Sequence, residues 1–189
     1  IKAESFAMKI ELKNFKHAIF ASEETLCFTA SVYVDGTRAF DVSNSGKGEE
    51  NRVHPVKGRN WDDVRRVQDW IAKQPKVKLE DDMEINDDLD FFLSRLADRE
   101  VAKKRLKALL RKHVVFYDPN PQTGGLCELP SSVKPAEFTD AHRKSLKGIY
   151  NNCLILNDLD FDQCLDFFVA YNNDVTSQMT KIYQLNIAA

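Results

Sequence analysis

The chain has 189 residues, 43% of them hydrophobic and 30% charged, with a formal net charge of −2. That length supports a hydrophobic core and that composition excludes a disordered chain. The near-balance of charge excludes wholesale attraction to nucleic acid or anionic lipid, and no apolar run reaches the roughly 18 residues a membrane span needs.

Residues 1–7, IKAESFA, lack the basic start and apolar stretch of a signal peptide and read as an appended remnant ahead of a regular pattern that begins at Met8. A soluble, cytoplasmic protein is the expectation, with one domain over 8–189 and a possible subdivision into a sheet-rich 8–75 and a helix-rich 84–171. Residues 8–15 alternate loosely as a strand. The stretch TLCFTASVYV (25–34) is the strongest strand signal, with Leu26, Phe28, Ala30, Val32 and Val34 on one face at period two. Asp35-Gly36 then predicts a tight hairpin turn into TRAFDV (37–42), so the first third reads as an antiparallel meander. Asn60 is placed to cap a helix over 61–73, with Asp62 and Asp63 in its first turn and Val64, Val67 and Ile71 on one side; Pro75 ends it.

A charge reversal follows. Residues 79–90 carry Glu80, Asp81, Asp82, Glu84, Asp87, Asp88 and Asp90 with no base, whereas 99–112 carry Arg99, Lys103, Lys104, Arg105, Lys107, Arg111 and Lys112 against Glu100. Leu89, Phe92, Leu93 and Leu96, then Leu106, Leu109 and Leu110, set a helical stripe. Asp98 could cap a second helix, which leaves one long helix or two. Beyond it, HVVFYD (113–118) reads as a strand with LCEL (126–129) pairing back, 136–150 as a helix and CLILN (153–157) as a buried strand. Residues 160–171 predict an amphipathic helix capped by Asp160, and the tail shows little pattern. The fold class that follows is α+β, a meander packed with helices and then β/α elements.

Most chemistry-bearing patterns fail on spacing. Cys27, Cys127, Cys153 and Cys164 hold no C-x-x-C pair, so reduced thiols in apolar surroundings are expected rather than zinc. SNSGKGEENR (43–52) lacks the G-x-x-x-x-G-K-[ST] spacing, and Glu49-Glu50 follows Gly48 where phosphate would need positive potential. A flexible contact loop is the better reading, with Lys47, Glu49, Glu50, Arg52 and His54 as its candidate contacts. Asp158, Asp160 and Asp162 form D-x-D-x-D, but Gln163 and Val169 stand where a calcium loop requires Gly and Glu, so helix capping is favoured. His17, His54, His113 and His142 are scattered without metal or nucleophile motifs. No cofactor is expected, and catalysis would need a pocket assembled from His54, Arg52 and an acid.

Two segments carry a resemblance. FKHAIFASEETLCFTASVYVDGTRAFDVSNSGKGEENRVHP, with its strand, hairpin and S-N-x-G-x-G, is similar to the opening of small uncharacterised proteins of bacteriophages and integrated mobile elements. ILNDLDFDQCLDFF resembles their V-L-N-D-L-P-F-D-E-A-L motif, with Asp160 in place of Pro. Both ends of the chain are covered, about a quarter of it, and the middle is not. The resemblance brings no activity and no site residues; it implies a bacterial host and accessory proteins that bind and block host machinery. The expectation is a protein-binding factor, an inhibitor of a defence complex such as a CRISPR effector, whose partner is a host protein or ribonucleoprotein. Its candidate surfaces are the acidic patch Glu80, Asp81, Asp82, Glu84, Asp87 and Asp88 or the basic helix with Lys103, Lys104, Lys107 and Arg111, complementary to an oppositely charged partner. Nucleic acid on that basic helix is the alternative, with a steep salt dependence.

Overall fold

A computed structural model describes residues 8–78, 83–120, 122, 124–173 and 176–187. Among these, 8–78 with 83–101 form one compact unit and 102–187 the other, with the boundary inside a long helix. The fold is α+β.

In the first unit, β1 (Ile10–His17), β2 (Phe28–Val34), β3 (Thr37–Asn44) and β4 (Arg52–Pro55) form an antiparallel sheet in that order. The turn between β2 and β3 is the predicted Asp35-Gly36, at φ 50 and 80, the positive values that a two-residue hairpin needs to match strand twist. Two bulges bend the sheet: Asn14 (φ 54) lies where β1 has an extra residue, and β3 slips by one between Arg38 and Phe40. β2 begins at Phe28, three residues later than expected, because Thr25 and Cys27 are bonded to loops instead. β4 lies in what the sequence presented as polar loop, so Arg52 and His54 stand opposite Ser43 and Asp41 on an edge strand.

α1 (Asp62–Ile71) buries Val64, Val67 and Ile71, and Asn60 Oδ1 accepts from the Asp62 amide at 2.9 Å, the cap its position predicts. α2 (Leu89–Lys112) adds Leu93 and Ala97 to the same core as Phe28, Val32, Phe40 and Val42. Each of these larger side chains contributes about 1.5–3 kcal/mol by leaving water. Between the two helices, β5 (Val77–Lys78) pairs with β6 (Glu84–Ile85).

α2 is one helix, not two. Asp88 caps it, its Oδ1 accepting from the Phe91 amide at 2.8 Å, whereas Asp98 lies inside. An interior Asp costs well under about 1 kcal/mol, which the buried residues on either side of it outweigh.

In the second unit, β7 (Val115–Asp118) is central, with β8 (Gly125–Glu128) and β9 (Leu154–Ile155) on its two sides, all antiparallel. Around this sheet are α3 (Asp140–Ile149), α4 (Phe161–Asn172) and α5 (Thr176–Ile187). Val115 joins Leu106, Leu165, Phe167 and Phe168 in one cluster, while Val114 and Phe116 join Phe138, Leu146 and Cys153 in another. The unbroken apolar run of β7 thus reflects burial on both faces. CLILN yields a two-residue strand only, since Leu156–Asp158 turns as a 3-10 helix. α5 was not anticipated; Met179, Ile182 and Tyr183 form too short a stripe to announce it.

Candidate functional site

The two segments 18–25 and 44–51 fold onto each other. After β1, Ile19–Ala21 makes a 3-10 turn that Ser22 closes: its Oγ donates to Ala18 O at 2.9 Å and accepts from the Cys27 amide at 2.9 Å. The amides of Glu23, Glu24 and Thr25 then converge on Gly46 O, at 2.9, 3.0 and 3.4 Å. Asn44, only 6% exposed, sits beneath them. Its Oδ1 accepts from Thr25 Oγ1 (2.9 Å) and the Gly46 amide (2.8 Å), and its Nδ2 donates to Glu49 O (2.9 Å) and Asn51 Oδ1 (3.2 Å). Every polar position of this buried amide is used. Asn51 carries the network to α2, donating from N to Asp90 Oδ1 at 2.6 Å and from Nδ2 to Asp90 O and Ser94 Oγ at 2.9 and 2.8 Å.

The glycines follow from the same packing. Gly46 has φ +89, and a Cβ there would lie 2.2 Å from Ala21 O; Gly48 has φ +86, and a Cβ there would lie 2.3 Å from Glu24 Oε2. The amides of Ser45, Gly46 and Gly48 donate to Glu49 Oε1, Asn44 Oδ1 and Thr25 Oγ1, so they are not aimed at a phosphate. The loop expected to be flexible is a bonded brace. Ser45 and, more weakly, Arg52 hold the Glu49 carboxyl below the usual carboxylate range.

What the brace presents is apolar. Ile19 is 75% exposed and Phe20 94%, side by side at the top of the turn. Sequence reading passed over them, although a large apolar pair between a strand and the turn-forming S-E-E-T belongs to neither periodicity.

The described acids of the run are spread over separate elements, with Glu84 and Asp88 exposed. Glu80, Asp81 and Asp82 lie outside the described residues. Glu84 stands opposite Lys78 in the short hairpin, Asp88 caps α2, and Asp90 is bound by Asn51. The Asp87 side chain is 4% exposed and pairs with Arg95, whose guanidinium also lies over Phe91 and Phe92. Asp87 Oδ1 and Arg95 Nε are buried without a hydrogen bond, although the Arg95 side chain as a whole is 40% exposed.

On the basic half of α2, Arg105 lies 6.0 Å from the Phe168 ring and Lys107 5.1 Å from Phe161, both on α4. Lys104, Lys107 and Arg111 are exposed and Lys103 half-buried, and α4 itself exposes Asp162 and Asp166. Arg105 and Lys107 therefore lie against aromatic rings on a helix that also carries carboxylates.

The remaining candidates are dispersed. His54 faces Asp41 across the strands, but Arg38 already grips Asp41 at 2.7 Å. His142 closes a capping box with Thr139, His17 stacks on Phe15, and His113 lies 3.6 Å from Glu128. A surface depression of about 500 Å³ is lined by Met8, Asp62, Arg65, Arg66, Asp69, Trp70 and Lys73, with neither Arg52 nor His54. No metal-ligating cluster occurs among the described residues, and none of their helices is long and apolar enough to cross a membrane. Cys153 and Cys164 are buried, and burial pushes their thiols up to about 11 and about 12; Cys27 and Cys127 are only half-buried.

The second resembling segment is also structural. Asn157 Oδ1 accepts from the Val115 amide at 2.7 Å, and its Nδ2 donates to Leu110 O and His113 O at 3.3 and 3.1 Å, tying the end of α2 to the start of β7. Asp158 is held by Arg143 at 2.9 and 3.0 Å, and Asp160 caps α4 through the Gln163 amide at 2.9 Å. D-x-D-x-D thus separates into distinct tasks. Comparison with protein-family models, with curated proteins and with solved structures finds no match for this chain.

Proposed function

We propose that the protein is a non-catalytic binding factor that docks on another protein, as an accessory factor of a phage or mobile element directed at a host defence complex such as a CRISPR effector. The observation that carries the binding reading is the exposed Ile19–Phe20 pair on a braced turn. An aromatic side chain left in water forgoes roughly 25 cal/mol per Å² of burial, and that energy is recovered when a partner covers it. Aromatic anchors of this kind dominate binding energy, and a turn already held in shape loses little entropy on docking. The phage setting rests on the resemblance of 15–55 and 155–168.

A second reading, nucleic acid on α2, is favoured by the exposure of Lys104, Lys107 and Arg111 along one helical face. It is weakened by the contacts of Lys107 and Arg105 with α4. The test is a tagged pull-down from bacterial lysate with and without nuclease, repeated with Phe20→Ser. A stoichiometric protein that survives nuclease and is lost with Phe20→Ser is the expected result. Partners released by nuclease, and unaffected by Phe20→Ser, would move the function to α2.

A further inference from the structure

We propose that the Ile19–Phe20 turn is an anchor for an apolar pocket with a cationic rim on the partner protein. The inference rests on the protein-binding reading above and adds the chemistry of the surface that is met. The turn is convex, two adjacent apolar side chains on a 3-10 helix at 75% and 94% exposure, so its complement is concave. Two environments accept such a tip: a bilayer interface or a protein pocket.

The charges beside the turn decide between them. The two interlocked segments carry Glu23, Glu24, Glu49 and Glu50 with Lys47, and Arg52, at the start of β4, lies 3.7 Å from Glu49. Glu23 and Glu50 are exposed, as is Glu24, whose carboxylate lies against Gly48. Lys16, near the end of β1, is a further cation close in sequence. Sinking Phe20 into an anionic leaflet would bring Glu23 and Glu24 to headgroup level, where the field that attracts each Lys or Arg by about 1 kcal/mol repels carboxylates. The same carboxylates oppose a phosphate backbone, which disfavours a nucleobase stacked on Phe20. A pocket rimmed by Lys or Arg satisfies both the apolar tip and its acidic border.

The test places the photo-crosslinking residue p-benzoylphenylalanine at position 20 of the full chain, in bacterial lysate, and maps the adduct by mass spectrometry. The captured protein is then purified, and its affinity is measured for the unaltered chain, Phe20→Ser and Glu23→Lys/Glu50→Lys over a range of salt. Sedimentation with phosphatidylcholine and phosphatidylserine vesicles and the self-association of the chain are measured alongside. We expect the adduct in an apolar segment flanked by Lys or Arg and about 30-fold weaker binding for Phe20→Ser. The charge reversal should weaken binding about tenfold at low salt and little at high salt, with unchanged thermal melts. A captured pocket whose affinity ignores the charge reversal overturns the cationic rim and leaves the protein-binding reading standing. Vesicle binding, or an adduct only to a second copy, overturns the proposed occupant. A pulled-down protein that never crosslinks to position 20 overturns the anchor, and the absence of any partner overturns both readings.

Discussion

Asn44 in the first unit and Asn157 in the second perform similar chemistry with different results. Each amide gathers backbone groups from separate segments, Asn44 from 46–49 and Asn157 from 110–115. Asn157 turns its bonds inward: it closes the C-terminal end of α2, whose last carbonyls have no partner inside the helix, and pins the first residue of a strand buried on both faces. Asn44 turns its bonds toward a surface, and what it braces ends in exposed Ile19 and Phe20. Residues that carry a resemblance can therefore be required for folding in both places, while the surface available for binding lies beside one of them.

The largest way to break the comparison is Gly46→Ala. A Cβ 2.2 Å from Ala21 O at φ +89 cannot be accommodated without moving the turn, and we expect about 3 kcal/mol or more of lost stability by urea unfolding. Partner binding should fall with it. If stability is unchanged, the brace is not rigid.

Asn44→Ala and Asn157→Ala sharpen the contrast. Each strands buried amides or carbonyls, at about 1–3 kcal/mol for each group that water does not reach. Both should lower the urea midpoint by similar amounts, but only Asn44→Ala should also weaken partner binding under conditions where the protein remains folded. Equal binding losses would remove the distinction between the two clamps. Asp160→Ala is smaller still, about 1 kcal/mol for a lost helix cap, read as a thermal shift with binding intact.

The thiols give an effect that is absent at neutral pH. Cys153 and Cys164 are raised from 9.0 to about 11 and about 12 in the folded chain, so above pH 9 the unfolded state releases protons that the folded state keeps. Stability is therefore intact below pH 9 and is lost as pH climbs from there toward 11 and 12. At pH 8, iodoacetamide should label half-buried Cys27 and Cys127 well before Cys153 and Cys164 in the second unit. Equal labelling of all four would show that the second unit opens readily.

Local features were legible in the sequence because their causes lie within a few residues. Asp35-Gly36 specifies its hairpin through positive φ, and Val64, Val67 and Ile71 mark a helix face through their spacing. Asp160 caps α4 through an amide three residues on. The α+β class followed from such elements taken together. The candidate site was legible only in part: SNSGKGEENR (43–52) stands out in the sequence, but as a flexible loop whose polar side chains make the contacts.

The rest depended on partners distant in sequence. That α2 runs through Asp98 follows from Leu93 and Ala97 burying in one core and Leu106 in another, which no local propensity reports. That Arg52 and His54 lie on a strand follows from pairing with β3. Composition and periodicity determined the β2–β3 hairpin and the helices α1 and α4, because those preferences are set by neighbouring side chains and backbone. Only the tertiary structure decided that Asn44 and Gly46 are spent on the brace and that Phe20 faces water, because a hydrogen bond between residues 25 and 44 exists only once the sheet has brought them together.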